Sequence, residues 1–173
     1  MKIINIVLSV VILLLAAYLY YIISQPIKFQ KEKEVRYTKV IEQLKQIRTT
    51  QLAFKAENGK YSQDFNQLID FAKNGQFTVV KRIGNTDDST AVIVRDTTYI
   101  SVKDSLFKNN IPIDSLPIIP FTNGAKFSLE AGIIEKGRVK VPVFEVIDTE
   151  PFDKKDVLKV GSMTEPTNAG NWE

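Results

Sequence analysis

Residues 3–23 read IINIVLSVVILLLAAYLYYII, with no charged side chain and one strongly polar one, Asn5. Few folds can hold such a run. At about 1.5 Å rise per residue it makes a helix of ~31 Å, the thickness of a bilayer's hydrocarbon core. A helix suits that setting because it satisfies its backbone hydrogen bonds within one segment. Tyr18, Tyr20 and Tyr21 cluster at one end, where aromatic rings favour the interface. A cleaved signal peptide needs a shorter apolar core and an Ala-x-Ala-like site, but tyrosines and isoleucines stand where cleavage should fall. No cysteine is present to carry a lipid. The expectation is an uncleaved transmembrane anchor over 1–25, a domain over 26–160 and a flexible tail over 161–173.

Charge bears on orientation and partners. Residues 24–60 carry nine Lys or Arg against four acids, and residues 61–173 carry thirteen against sixteen. Counting Lys and Arg near the anchor puts the C-terminal side in the cytoplasm, whereas large domains translocate regardless of flanking charge and an early apolar run reads as an export signal. The reading adopted is an exported domain. The basic stretch is either a solvated helix face or a contact for anionic lipid or an acidic neighbour. It carries no nucleic-acid motif, so no nucleic acid is expected.

Pro26 is expected to kink or interrupt any helix there. Beyond it, Val40, Ile41, Leu44, Ile47 and Phe54 fall on one stripe of an amphipathic helix, extended backward by Tyr37. Asn58-Gly59 ends that helix. Ser62 fits the N-cap of a second helix bearing Phe65, Leu68, Ile69 and Ala72, ended by Asn74-Gly75. The period then changes. Residues 77–83 and 91–95 read as strands around the polar loop GNTDDST, with 98–102 continuing the second. Residues 104–124, with Pro112, Pro117 and Pro120, are irregular. Residues 125–134 and 139–147 form a hairpin around EKGR, and Pro142 suggests an edge position. DKKDVLKV reads as a short helical turn before a loose end. Helices followed by strands argue for an α+β fold, the long helix packed on a small antiparallel sheet.

The chain has neither His nor Cys, so the commonest base, nucleophile and soft-metal ligands are absent, and no Ser or Lys lies in a recognised catalytic motif. A non-enzyme is expected. Asp87 and Asp88 are the metal candidates, but a calcium site needs several converging oxygens, so no cofactor is expected and calcium at this loop is the alternative. Arg48 and Gln51 fall inside the apolar stripe, where a polar group must be paired or reach water. Either Arg48 holds a carboxylate of its own domain, with Asp64, Asp70 and Glu130 as candidates, or it pairs across an interface. Asn5 and Ser9 lie four apart on the membrane helix and either bond a neighbouring helix or reach headgroups.

An apolar N-terminal helix, a proline, an amphipathic continuation and a small sheet resemble the layout of type IV pilins and pseudopilins. QLKQIRTTQLAFKAENGKYSQDFNQLI is similar to the stretch of pseudopilin-like proteins where R-T-A-Q-x-A-Y precedes G-K-Y and a short second helix. The likeness is recognisable over 40–71. VKDSLF, AKFSLEAG and KVPVFEV resemble an uncharacterised group of bacterial envelope proteins with this layout. The apolar run departs from the pilin pattern, since it starts at residue 3 and holds no acid, so prepilin-peptidase processing is not expected. The resemblance implies a pilin-like, non-catalytic, single-pass protein of the bacterial inner membrane with a periplasmic domain. It would be a structural or accessory subunit of a secretion or surface-appendage assembly. Its partners would be the lipid bilayer and other envelope or membrane proteins, itself included. The alternative is a membrane-tethered ligand- or calcium-binding module using the 84–90 loop or the 104–124 segment.

Overall fold

The computed structural model describes residues 2–83, 94–107 and 112–173, and among these the side chains outside 2 and 78–98. It is an α+β protein in two compact units, Met1–Lys39 and Val40–Glu173. Helix α1, Lys2–Asn58, belongs to both. Of the kink or interruption expected at Pro26, the interruption does not occur: α1 runs through it. Pro lacks one backbone donor, and water or headgroups can satisfy the carbonyl left over at such a position.

In the first unit nearly every side chain is exposed. Ile3, Leu14 and Tyr20 retain 77%, 65% and 74% of their surface, so this chain alone does not cover the apolar run.

In the second unit the end of α1 supplies the core stripe. Val40, Leu44, Ile47 and Phe54 are buried, as expected, with Thr50, Gln51 and Ala53 beside them. Gly59, at φ 72°, stops the helix in the left-handed conformation that glycine tolerates. Helix α2, Phe65–Asn74, buries Leu68 and Ala72, and the Phe54 and Phe71 rings meet edge to face at 5.2 Å. Its N-cap is Asp64, which accepts from the Asn66 N–H at 3.1 Å, and not Ser62. Ser62 is held two residues upstream of the cap by Gln51, which takes both of its backbone groups.

Strands β1, Gln76–Ile83, and β2, Val94–Ser101, form an antiparallel ribbon from Gln76↔Ser101 to Ile83↔Val94. The described parts of the 104–124 segment are irregular, as expected, apart from two short helical turns. Helix α3, Val102–Leu106, is followed by a 3₁₀ turn at Ile113–Ser115, and Val102, Leu116 and Ile119 are buried. Strands β3, Ser128–Lys136, and β4, Val139–Ile147, form the expected hairpin. Gly137 and Arg138 both have positive φ, the geometry of a type I′ turn, whose twist matches the flanking strands. Strand β5, Lys159–Gly161, joins the other side of β4, giving the order β3-β4-β5. Pro142 therefore lies on the central strand, not an edge strand. It is tolerated because β5 pairs only with Glu145–Ile147, so β4 has one strand neighbour at Pro142.

Two further expectations are overturned near the C-terminus. DKKDVLKV makes no helix. Asp156 N–H bonds the Asp153 carbonyl in a turn, and Lys159 begins β5. Residues 161–173 are not loose. Gly161 N–H donates to Ala169 O at 3.0 Å, Asn171 N–H to Lys159 O at 3.1 Å, and Val160 bridges Gly170. Gly161, at φ 78°, is needed there, since a Cβ would come within 2.2 Å of the Phe144 carbonyl oxygen. The single tryptophan, Trp172, sets its indole N–H in a buried position without a hydrogen-bond partner.

Candidate functional site

The polar and cleft-lining side chains sort into three groups. The first lies in the membrane-length part of α1. Ser9 donates its hydroxyl to the Asn5 carbonyl at 2.9 Å, a back-bond within the helix. Asn5 and Ser9 thus share one exposed face, four residues apart. Just beyond, Arg36 pairs with Glu32 at 2.7 Å, and Lys33 lies over the Tyr37 ring at 5.0 Å.

The second group is a set of polar clamps from the end of α1 to irregular backbone. Gln51 is fully buried, donating to Ser62 O and accepting from Ser62 N–H, both at 2.9 Å. Its amide acts as a peptide-like partner for the chain leaving the helix, which explains a polar residue in an apolar stripe. Gln43 directs its amide nitrogen at the carbonyls of Leu116 and Ile118, at 3.1 and 2.8 Å. Gln46 donates to Leu106 O at 3.1 Å. Gln43 and Gln46 are additions to the sequence reading. Gln43 occupies a stripe position as Gln51 does, and a polar residue recurring on an apolar stripe was the available signal.

Arg48 pairs within its own unit, but with none of Asp64, Asp70 or Glu130. It donates to Glu173 Oε1 at 2.8 Å and to Asn168 O at 3.2 Å. The partner was misplaced because the polar C-terminal residues read as unattached. The guanidinium hydrogen bond is the main reason Glu173 is held below the ordinary carboxylate range. Tyr61 closes the same corner, donating to Asn168 Oδ1 at 3.0 Å, its ring 4.6 Å from that of Phe144.

The third group is a cleft of about 510 Å³ between α2, α3 and the 3₁₀ turn. Phe107, Pro112 and Ile113 form apolar walls, and Lys73, Lys103 and Asp114 stand on it, Lys73 paired with Asp114. The cleft falls partly in the 104–124 segment. Asp87 and Asp88 lie outside the described residues. Among the described residues no three acidic side chains converge to hold a metal. One acid among the described residues is buried, Asp148, which accepts from Glu150 N–H at 3.0 Å. Burial raises its pKa, opposed by that hydrogen bond and reinforced by the Glu150 charge.

Comparison of the chain with protein families, with curated proteins and with solved structures finds no match. What stands is the layout: one N-terminal helix long and apolar enough to cross a membrane, followed by small antiparallel sheets, loosely like that of pilins.

Proposed function

We propose that this protein is a non-catalytic, single-pass membrane protein of the bacterial envelope, acting as a structural or accessory subunit of a secretion or surface-appendage assembly. One observation carries the reading: a single helix leaves its first part wholly uncovered and apolar, while its last part is the core of a folded α+β unit. The domain is then an extension of the anchor, and the anchor's side chains are available to lipid and to other membrane helices. Asn5 and Ser9 are the polar contacts on that surface, for which helix–helix hydrogen bonds contribute roughly 0.6–2 kcal/mol. A cross-linked pull-down of the full tagged chain from its native membranes, read by mass spectrometry, tests this. Defined envelope partners in fixed ratio support it, and recovery of the chain alone and monomeric overturns it.

The cleft beside Phe107 and Lys103 favours a second reading, a tethered module binding a small ligand, because pockets of 300–1,000 Å³ suit such molecules. A thermal-shift screen of calcium and small anions on the full chain discriminates the two. A saturable shift lost in Phe107→Ala supports the module.

A further inference from the structure

We infer that Lys28 and Lys31 bind anionic phospholipid headgroups where α1 leaves the bilayer. The inference rests on the membrane-spanning reading of residues 3–23. Both lysines are exposed, and among the described residues no side chain engages either. Their neighbours are otherwise occupied: Arg36 holds Glu32, and Lys33 lies over Tyr37. Lys28, Lys31, Val35 and Lys39 recur at spacings of three and four residues and so lie on one face of the helix. Reach separates them. At about 1.5 Å per residue, Lys28 stands ~7.5 Å and Lys31 ~12 Å beyond Ile23, while Lys39 stands ~24 Å beyond. The headgroup layer is only roughly 5–8 Å deep on each side. A lysine stem can extend back toward the interface by several ångströms, so Lys28 and Lys31 reach phosphates and Lys39 does not. Tyr18, Tyr20 and Tyr21, all exposed, sit just inside this level and fix the depth of the helix. An ammonium near an anionic surface gains about fivefold in binding per lysine, and salt removes the gain.

The test uses the full chain reconstituted into vesicles of equal phosphatidylglycerol and phosphatidylcholine. The protein is extracted in mild detergent, and the lipids it retains are quantified by mass spectrometry. The native chain is expected to retain phosphatidylglycerol several-fold over phosphatidylcholine. The ratio should fall toward one in about 0.5 M NaCl and in Lys28→Glu/Lys31→Glu, and should persist in Lys39→Glu. A native ratio of one overturns the inference while leaving the membrane reading intact. Lys39→Glu falling as far as the double variant also overturns it, because the retention then follows the overall positive charge of the stretch and not these two positions. A chain that fails to float with the vesicles overturns the membrane reading and the inference together.

Discussion

The two ends of α1 use similar apolar side chains for different purposes. In residues 3–23 they stand in every direction and none is covered by the chain. From Val40 onward they occupy one stripe, and glutamines and threonine share that stripe. A helix apolar all round needs an apolar surrounding, bilayer or other protein, whereas a striped one needs a folded partner on one side. The difference therefore marks which medium stabilises each part. The sharpest way to break the comparison is to make the same substitution at both ends. Leu44→Ala, at a fully buried site, should cost about 2–5 kcal/mol in urea unfolding of the full chain in micelles. Leu14→Ala, at a site that keeps 65% of its surface, should change that value by under about 0.5 kcal/mol. Equal losses would mean that residues 3–23 are covered by protein and not by lipid.

The clamps of the second region come next in size. Gln51→Leu keeps the volume but strands the backbone N–H and C=O of Ser62 in a buried site. The expected loss is about 2 kcal/mol, with the turn between α1 and α2 the first segment to gain hydrogen exchange. An unchanged midpoint would show that water replaces the amide there.

Arg48→Ala should act more weakly, because its side chain and that of Glu173 are both partly exposed. The expected effect at neutral pH is a drop of about a few degrees in Tm. Trp172, the only tryptophan, should shift its emission toward the red as the C-terminal residues loosen. The pH dependence has a definite sign. Glu173 has a lowered pKa in the fold, so its contribution is complete above its unfolded pKa and fades as pH falls through the lower folded value. The gap between native and Arg48→Ala should therefore be widest near neutrality and close in acid. A gap that is constant with pH would assign the loss to the Asn168 contact alone.

Much of this was legible as pattern. The apolar run, the stripe at Val40, Leu44, Ile47 and Phe54, the stop at Gly59 and the hairpin around Gly137 follow from period and turn chemistry, which are local. What escaped was non-local pairing between polar groups. Nothing near Arg48 in sequence indicates Glu173, and β5 is three residues long with only Val160 and its neighbour Leu158 to signal it. The polar text after Gly161 hid a structured end. The one cue was Trp172, an aromatic residue in a run otherwise typical of solvated chain. Ser62 was misread as a cap because its backbone partner, Gln51, lies eleven residues upstream.

The smallest effect concerns the acid that burial disfavours. Asp148 follows β4, its N–H donating to Leu158 O and its carboxylate accepting from Glu150 N–H. Desolvation is the largest cause of its raised pKa. For an acid with a raised folded pKa the sign is opposite to that of Glu173. The ionised form costs stability above the folded value, and the cost lifts as pH falls through it toward the unfolded value. Asp148→Asn keeps an oxygen for the Glu150 N–H and removes the buried charge. It should lose nothing at pH 7 and gain about a degree or two in Tm, a gain that vanishes in acid where Asp148 itself is protonated. A loss at pH 7 would mean that the amide NH2, a donor the carboxylate lacks, is buried there without an acceptor and costs more than the charge it replaces.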